Sequence, residues 1–242
     1  MKRTERRHLK ENELESLARQ AREAFEGRRR ETTWAVAAIV IVGAVALGVV
    51  AWRDHVNSRA HAMLAEATTV MDTRVGAPIA PGTPGAGPSF PSDAERSKAA
   101  VAKFRAAADA YPSSDAGLYA RYQEGSLQLA LGAPAEAAKA FQQVIDRDGN
   151  GVYGQSARLG LAEAQAQEGQ YDQAINGFKQ LALLKDGAMP VDGVLMQLGR
   201  TYLQAGKRAD AQQTFNRIVE EFPDSAFSSD AKRELDNLKK TT

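Results

Sequence analysis

Residues 191–223, VDGVLMQLGRTYLQAGKRADAQQTFNRIVEEFP, decide the fold. Val194, Leu195, Leu198, Tyr202 and Leu203 recur at helical spacing, and Gly206 stops that run. Ala211, Phe215, Ile218 and Val219 make a second apolar stripe, which Pro223 ends. The pattern predicts two antiparallel helices joined by a tight turn. The same pattern recurs upstream at intervals of 37 residues. Phe104, Phe141, Phe178 and Phe215 keep that spacing, as do Ala100, Ala137, Ala174 and Ala211. Gly132, Gly169 and Gly206 share it, and so do Gly125, Ala162 and Gly199. A fixed period of this size means stacked supersecondary units. The small residue at 125, 162 and 199 lets two helices approach closely, and each Phe is expected to fill the space between neighbouring units.

Five positions of the last unit resemble the tetratricopeptide repeat. Gly199, Tyr202, Ala211, Phe215 and Pro223 stand at that family's small, Tyr, Ala, large apolar and Pro positions. The units beginning near Leu118 and Gln155 keep the Ala and Phe but carry Gln128 and Gln165 at the Tyr position. The period of 37 exceeds the family's, implying a longer turn between repeats. The first unit has its second helix in Ala100, Phe104, Ala107 and Pro112, but a Pro/Gly-rich stretch occupies the place of its first. Residues 54–72 are the expected source of that missing helix. A polar helix over 226–240, capped by Asp224 or Ser225, is expected to cover the far end of the stack.

Upstream lies the second decisive stretch, Trp34–Trp52, WAVAAIVIVGAVALGVVAW, which carries no charge. At 1.5 Å per residue it spans roughly 28 Å, close to a bilayer's hydrocarbon core. Interfacial aromatics belong where its two Trp residues stand. Residues 1–33 hold ten basic and seven acidic side chains, with Arg28, Arg29 and Arg30 just before the span. The positive-inside rule then makes the amino terminus cytoplasmic and sends everything after Trp52 outward. A cleavable signal peptide is the competing reading. Its charged leader would be unusually long, and the apolar run exceeds an ordinary signal core. Ala44 and Gly48 form a small-xxx-small pair within the span, a weak pairing signal.

The expected fold class is therefore all-α, a single transmembrane helix followed by a tetratricopeptide-like solenoid of helical hairpins. The expected segments are a basic cytoplasmic stretch (1–33), the transmembrane helix (34–52) and an exported helix (53–75) serving as the first helix of repeat one. A Pro/Gly-rich loop (76–92) follows, then the repeat domain with its capping helix (93–242). Within residues 1–33, Leu14, Leu17, Ala18, Ala21 and Phe25 make one apolar stripe, suited to a membrane surface or a cytoplasmic partner. Five Pro and four Gly in 76–92 leave no room for a helix or strand to run through, and fully extended the stretch would reach roughly 50 Å.

Chemistry is sparse. No Cys is present, which removes disulfides, thiolate metal sites and a thiol nucleophile. No His follows His61, so no Ser-His-Asp arrangement can form within the repeats. His55 and His61 lie six apart and point to different helix faces. Asp146-Arg-Asp-Gly-Asn-Gly151 resembles part of a calcium loop, but Ala157 stands where the bidentate Glu belongs. No catalytic residue, no metal and no cofactor is expected, and the chain reads as a non-enzyme. Residues 53–242 carry 21 basic and 23 acidic side chains, an almost neutral balance that argues against nucleic acid as a partner.

The resemblance implies a protein-binding groove lined by the first helices. Carried over by position, it places Tyr119, Tyr122 and Ser126 in the second repeat. Leu159 and Glu163 follow in the third, and Met196, Arg200 and Leu203 in the fourth. Tyr122, Leu159 and Met196 make its centre apolar, suited to hydrophobic or loosely specified segments. Alternatively, these residues pack against the terminal helix. The whole layout also resembles the YfgM-type family, ancillary to the SecYEG translocon. That resemblance implies a single-pass protein of the bacterial inner membrane with a periplasmic repeat domain. Its implied partners are translocon subunits, periplasmic chaperones or unfolded exported chains, with an accessory, chaperone-like role. A scaffold for cell-division or outer-membrane assembly, or a regulator acting through the cytoplasmic helix, are the other readings.

Overall fold

The computed structural model describes residues 29–78, 82–83, 87–184 and 189–240. The amphipathic stripe expected around Leu14–Phe25 lies outside them. Two compact units divide the chain, Met1–His55 and Val56–Thr242. One helix, α1 (Arg29–Asp72), belongs to both.

In the first unit, α1 carries the uncharged stretch with its side chains bare. Trp34 is 74% exposed and Trp52 68%, with Val, Ile and Leu exposed between them. Among the described residues this is the one helix long and apolar enough to cross a membrane.

In the second unit, the rest of α1 begins a series of hairpins. It pairs with α2 (Asp93–Ala110), and then α3 (Asp115–Ala130) pairs with α4 (Pro134–Asp148). The third hairpin is α5 (Val152–Gln167) with α6 (Tyr171–Ala182), and the fourth is α7 (Val191–Gln204) with α8 (Arg208–Glu221). A last helix, α9 (Ser228–Lys240), packs its buried Ala231, Leu235 and Leu238 into the core shared with the fourth hairpin. In the first hairpin, Ala67, Met63, Leu64 and Met71 of α1 pack with Ala100, Phe104 and Ala107 of α2. The Lys103 ammonium reaches Glu66 at 2.5 Å across that pair.

Two structural features recur with the period of 37. The first is the turn within each of the later hairpins. Gly132, Gly169 and Gly206 adopt φ of 76, 77 and 72°, a left-handed region that costs only glycine nothing. After each, the next residue donates back across the turn: Ala133 to Gln128, Gln170 to Gln165 and Lys207 to Tyr202, at 2.8–2.9 Å. The Gln or Tyr at the family's Tyr position is thus the residue whose carbonyl closes the turn. The second is a ring against a bare backbone, seen at Phe141 and Phe215. A Cβ on Gly199 would lie 2.4 Å from the Phe215 ring. Phe141 is held on two sides, by Gly125 of its own hairpin and by Gly160 of the next. Added Cβ atoms there would sit 2.9 and 2.4 Å from its ring.

Two local expectations change. The Pro/Gly-rich stretch is bracketed by a short bridge: β1 (Arg74–Val75) and β2 (Ser89–Phe90) run parallel, Arg74 opposite Ser89 and Val75 opposite Phe90. Pro88 and Pro91 flank the paired residues and occupy neither, so both amides of β2 stay free to pair. Gly76 donates to the Phe90 carbonyl at 2.9 Å, and Arg96 reaches the Thr73 carbonyl at 3.3 Å. The loop therefore leaves and returns at one place. The terminal helix starts at Ser228, two residues later than expected. Ser225 accepts from the Phe227 amide at 3.0 Å and donates to Asp192 at 2.5 Å, tying the turn to α7. In the calcium-like turn, the Asp148 carboxylate accepts the Gly154 amide in the first turn of α5 at 2.7 Å.

Close packing on glycine sets a measurable cost. Gly160→Ala improves helix propensity by about 1 kcal/mol, yet the clash with Phe141 is expected to outweigh that gain and lower the melting temperature. Overpacking of this kind costs typically about 1–3 kcal/mol. Phe178→Ala, which empties a fully buried site, is expected to cost about 3–5 kcal/mol. Phe104→Ala, in the first hairpin, should cost less. Equal, small losses at both Phe positions in thermal denaturation would show that the ring register does not mark the core.

Candidate functional site

The first helices α3, α5 and α7 carry every residue assigned to the groove, and the structure separates them by fate. Tyr119 is half-buried, 5.9 Å from the Tyr153 ring, with its hydroxyl accepting from Gln123 at 2.5 Å. Tyr122 leans on the Phe141 ring at 5.8 Å. Ser126 donates back to the Tyr122 carbonyl at 3.1 Å. Leu159 and Leu203 are half-buried against the core of the third and fourth hairpins. Met196 is only 1% exposed and belongs to that core, together with Ala231, Leu235 and Leu238 of α9. It is not on an open surface, which corrects the expectation that it forms the groove's centre. An apolar stripe at helical spacing buries itself wherever a neighbouring helix can cover it, and α8 and α9 do so here.

What stays open is polar. Glu163, Ala166 and Gln167 of α5 face Gln197, Arg200 and Gln204 of α7 across a crevice of about 250 Å³, with the buried Thr201 and Phe178 beneath it. Glu163 and Arg200 are thus the two assigned residues that the fold brings to one opening. Gln167, Gln197, Thr201 and Gln204 were not foreseen. A signal for two of them existed, since Gln167 and Gln204 are 37 apart, as Glu163 and Arg200 are.

Charges here are held very differently from those in the second hairpin. Glu124 of α3, 3% exposed, receives Arg105 at 2.8 Å, Arg121 at 2.5 Å and Gln128 at 3.2 Å. Arg121 also reaches Asp109 of α2. That buried carboxylate is fully answered from within the fold, and the Arg105 guanidinium is held more firmly protonated by its bond to Glu124. Glu163 accepts from the Gln197 amide at 3.3 Å and has no ion pair among the described residues. Burial alone pushes its carboxyl above the ordinary value. Arg200 faces Asp230 of α9 at 3.7 Å. Among the described residues no group of three His, Asp or Glu side chains is placed to hold a metal ion.

The raised carboxyl has a consequence for stability. An acid whose folded pKa lies above its unfolded one destabilises the fold fully above the folded value, and the cost disappears below the unfolded value, near 4.3 for Glu. Glu163→Gln should therefore melt higher than the wild type at about pH 7–8, with the difference closing as pH falls through the raised carboxyl range towards about 4. A wild type more stable than the variant at neutral pH would mean that a cation within the fold already answers Glu163.

The family model described as "Tetratricopeptide repeat-like domain" matches residues 29–240. No curated protein matches the chain. Among solved structures, two of a putative kinesin light chain with nearly identical TPR-like repeats, from Podosopora anserina, share the fold. One, a single-substitution variant, aligns at 15% identity with a TM-score of 0.52, covering 60% of this chain and 78% of that one. The other aligns at 14% identity with a TM-score of 0.53, covering 60% and 79%. A tetratricopeptide repeat protein from Parabacteroides merdae aligns at 17% identity and a TM-score of 0.49, covering 62% of this chain and 56% of that one. With hairpins, period and family model in agreement over most of its length, the chain belongs to the tetratricopeptide repeat-like domain family.

Proposed function

We propose that this protein is a membrane-anchored protein-interaction module, holding its repeat unit on the outer side of a bacterial inner membrane. The repeat fold supports protein binding as the activity. The observation that carries the anchoring is the bare apolar surface of α1 between Trp34 and Trp52. Exposed apolar area of that extent is untenable in water and natural in lipid. The charge imbalance of residues 1–33 supports a cytoplasmic amino terminus. In this reading the repeats serve newly exported chains as an accessory, chaperone-like factor beside the translocon, and no reaction is catalysed.

Two measurements test it. Protease added outside spheroplasts should digest the chain beyond Trp52 and spare residues 1–33, and the reverse pattern would overturn the topology. Photocrosslinking from Arg200 in native membranes should recover translocon subunits or exported chains. Recovery of cell-division or outer-membrane assembly proteins instead would move the module to another envelope complex, and recovery of a cytoplasmic regulator would make it a signalling device.

A further inference from the structure

We propose that the crevice between α5 and α7 receives a lysine or arginine side chain of an extended polypeptide segment, with Glu163 as its acidic partner. The proposal rests on the protein-binding reading above and names what that surface selects. Its starting point is an unanswered charge. Glu163 is partly buried and receives one neutral amide, from Gln197. No Lys or Arg lies within ion-pair distance among the described residues. Charges removed from water are ordinarily paired. The same chain shows what a self-sufficient buried carboxylate looks like, since Glu124 has two arginines and a glutamine around it. Arg200, on the opposite lining, is drawn towards Asp230 of the capping helix. The partner for Glu163 then comes from outside.

The surroundings narrow the kind of cation. The crevice, about 250 Å³, falls below the roughly 300–1,000 Å³ of small-molecule sites. It suits one long side chain and the peptide groups beside it. The half-buried Ala166 gives the methylene stem of a lysine or arginine an apolar contact while its head meets the carboxylate. Gln167, Gln197 and Gln204 present amides that both donate and accept, as the alternating N–H and C=O groups of an extended backbone require. A free inorganic cation would leave these amides without a role.

The test uses the full chain in lipid nanodiscs and fluorescein-labelled nine-residue peptides of Gly, Ser and Gln, with one central Lys, Arg, norleucine or Glu. Fluorescence anisotropy at about 0.15 M salt should show Lys and Arg peptides binding at least about tenfold more tightly than the other two, a difference of about 1.4 kcal/mol. Glu163→Gln should abolish that preference while melting no lower than the wild type, and Glu163→Asp should keep part of it. The preference should also shrink as salt rises, because it is electrostatic. Equal binding of all four peptides, or a preference that survives Glu163→Gln, would overturn the cation site while leaving a binding module in place. Failure of every peptide to bind would likewise overturn it, and the module itself would then be judged by the crosslinks from Arg200. Self-association of the wild type in sedimentation, lost in Glu163→Gln and untouched by Lys peptide, would assign the crevice to a second copy and also overturn the proposal.

Discussion

A phenylalanine ring lying on glycine backbone is the contact on which the stack depends. Phe141 touches Gly125 behind it and Gly160 ahead of it, so one side chain fastens two helices of its own hairpin and the first helix of the next. Phe215 repeats the first of these contacts on Gly199. With no Cβ in the way, the helices approach until the ring fills the gap, and dispersion does the rest. Around these contacts, α8 and α9 cover Met196, and Glu163, Gln167, Arg200 and Gln204 remain at the opening.

Much of this was legible in the sequence, for a physical reason. Residues that pack by contact with an equivalent neighbour must recur at the repeat distance, so the Phe, Ala and turn-Gly positions appear as a period. Gly160 was invisible by that route. Its register holds Gln123 and Gln197 in the adjacent repeats, and only the ring placement shows why a glycine is needed there. The β1–β2 bridge escaped because two paired residues between prolines leave no pattern to read. The binding surface was half legible. Register put Glu163 and Arg200 in the right place, but it could not tell an apolar residue facing a partner from one facing a neighbouring helix.

The two carboxylates on the first helices illustrate how burial sorts charge. Glu124 sits in a hairpin interface and is surrounded by donors from α2 and α3, an arrangement in which loss of an arginine leaves a buried carboxylate less fully compensated. Glu163 sits at an edge, where water still reaches it. At an edge an unmatched charge costs less than in the interior, so it can await an outside partner and carry selectivity without endangering the fold.

The parallel bridge that closes the Pro/Gly-rich segment has a consequence for how the molecule can vary. Because Val75 and Ser89 begin and end the excursion at one spot, the helices on either side do not register how much chain lies between. Closing a loop twice as long adds only about 0.6 kcal/mol of entropy. Residues 76–88 are thus a port into which an epitope, a longer insert or a small folded domain can be spliced while every hairpin keeps its neighbour.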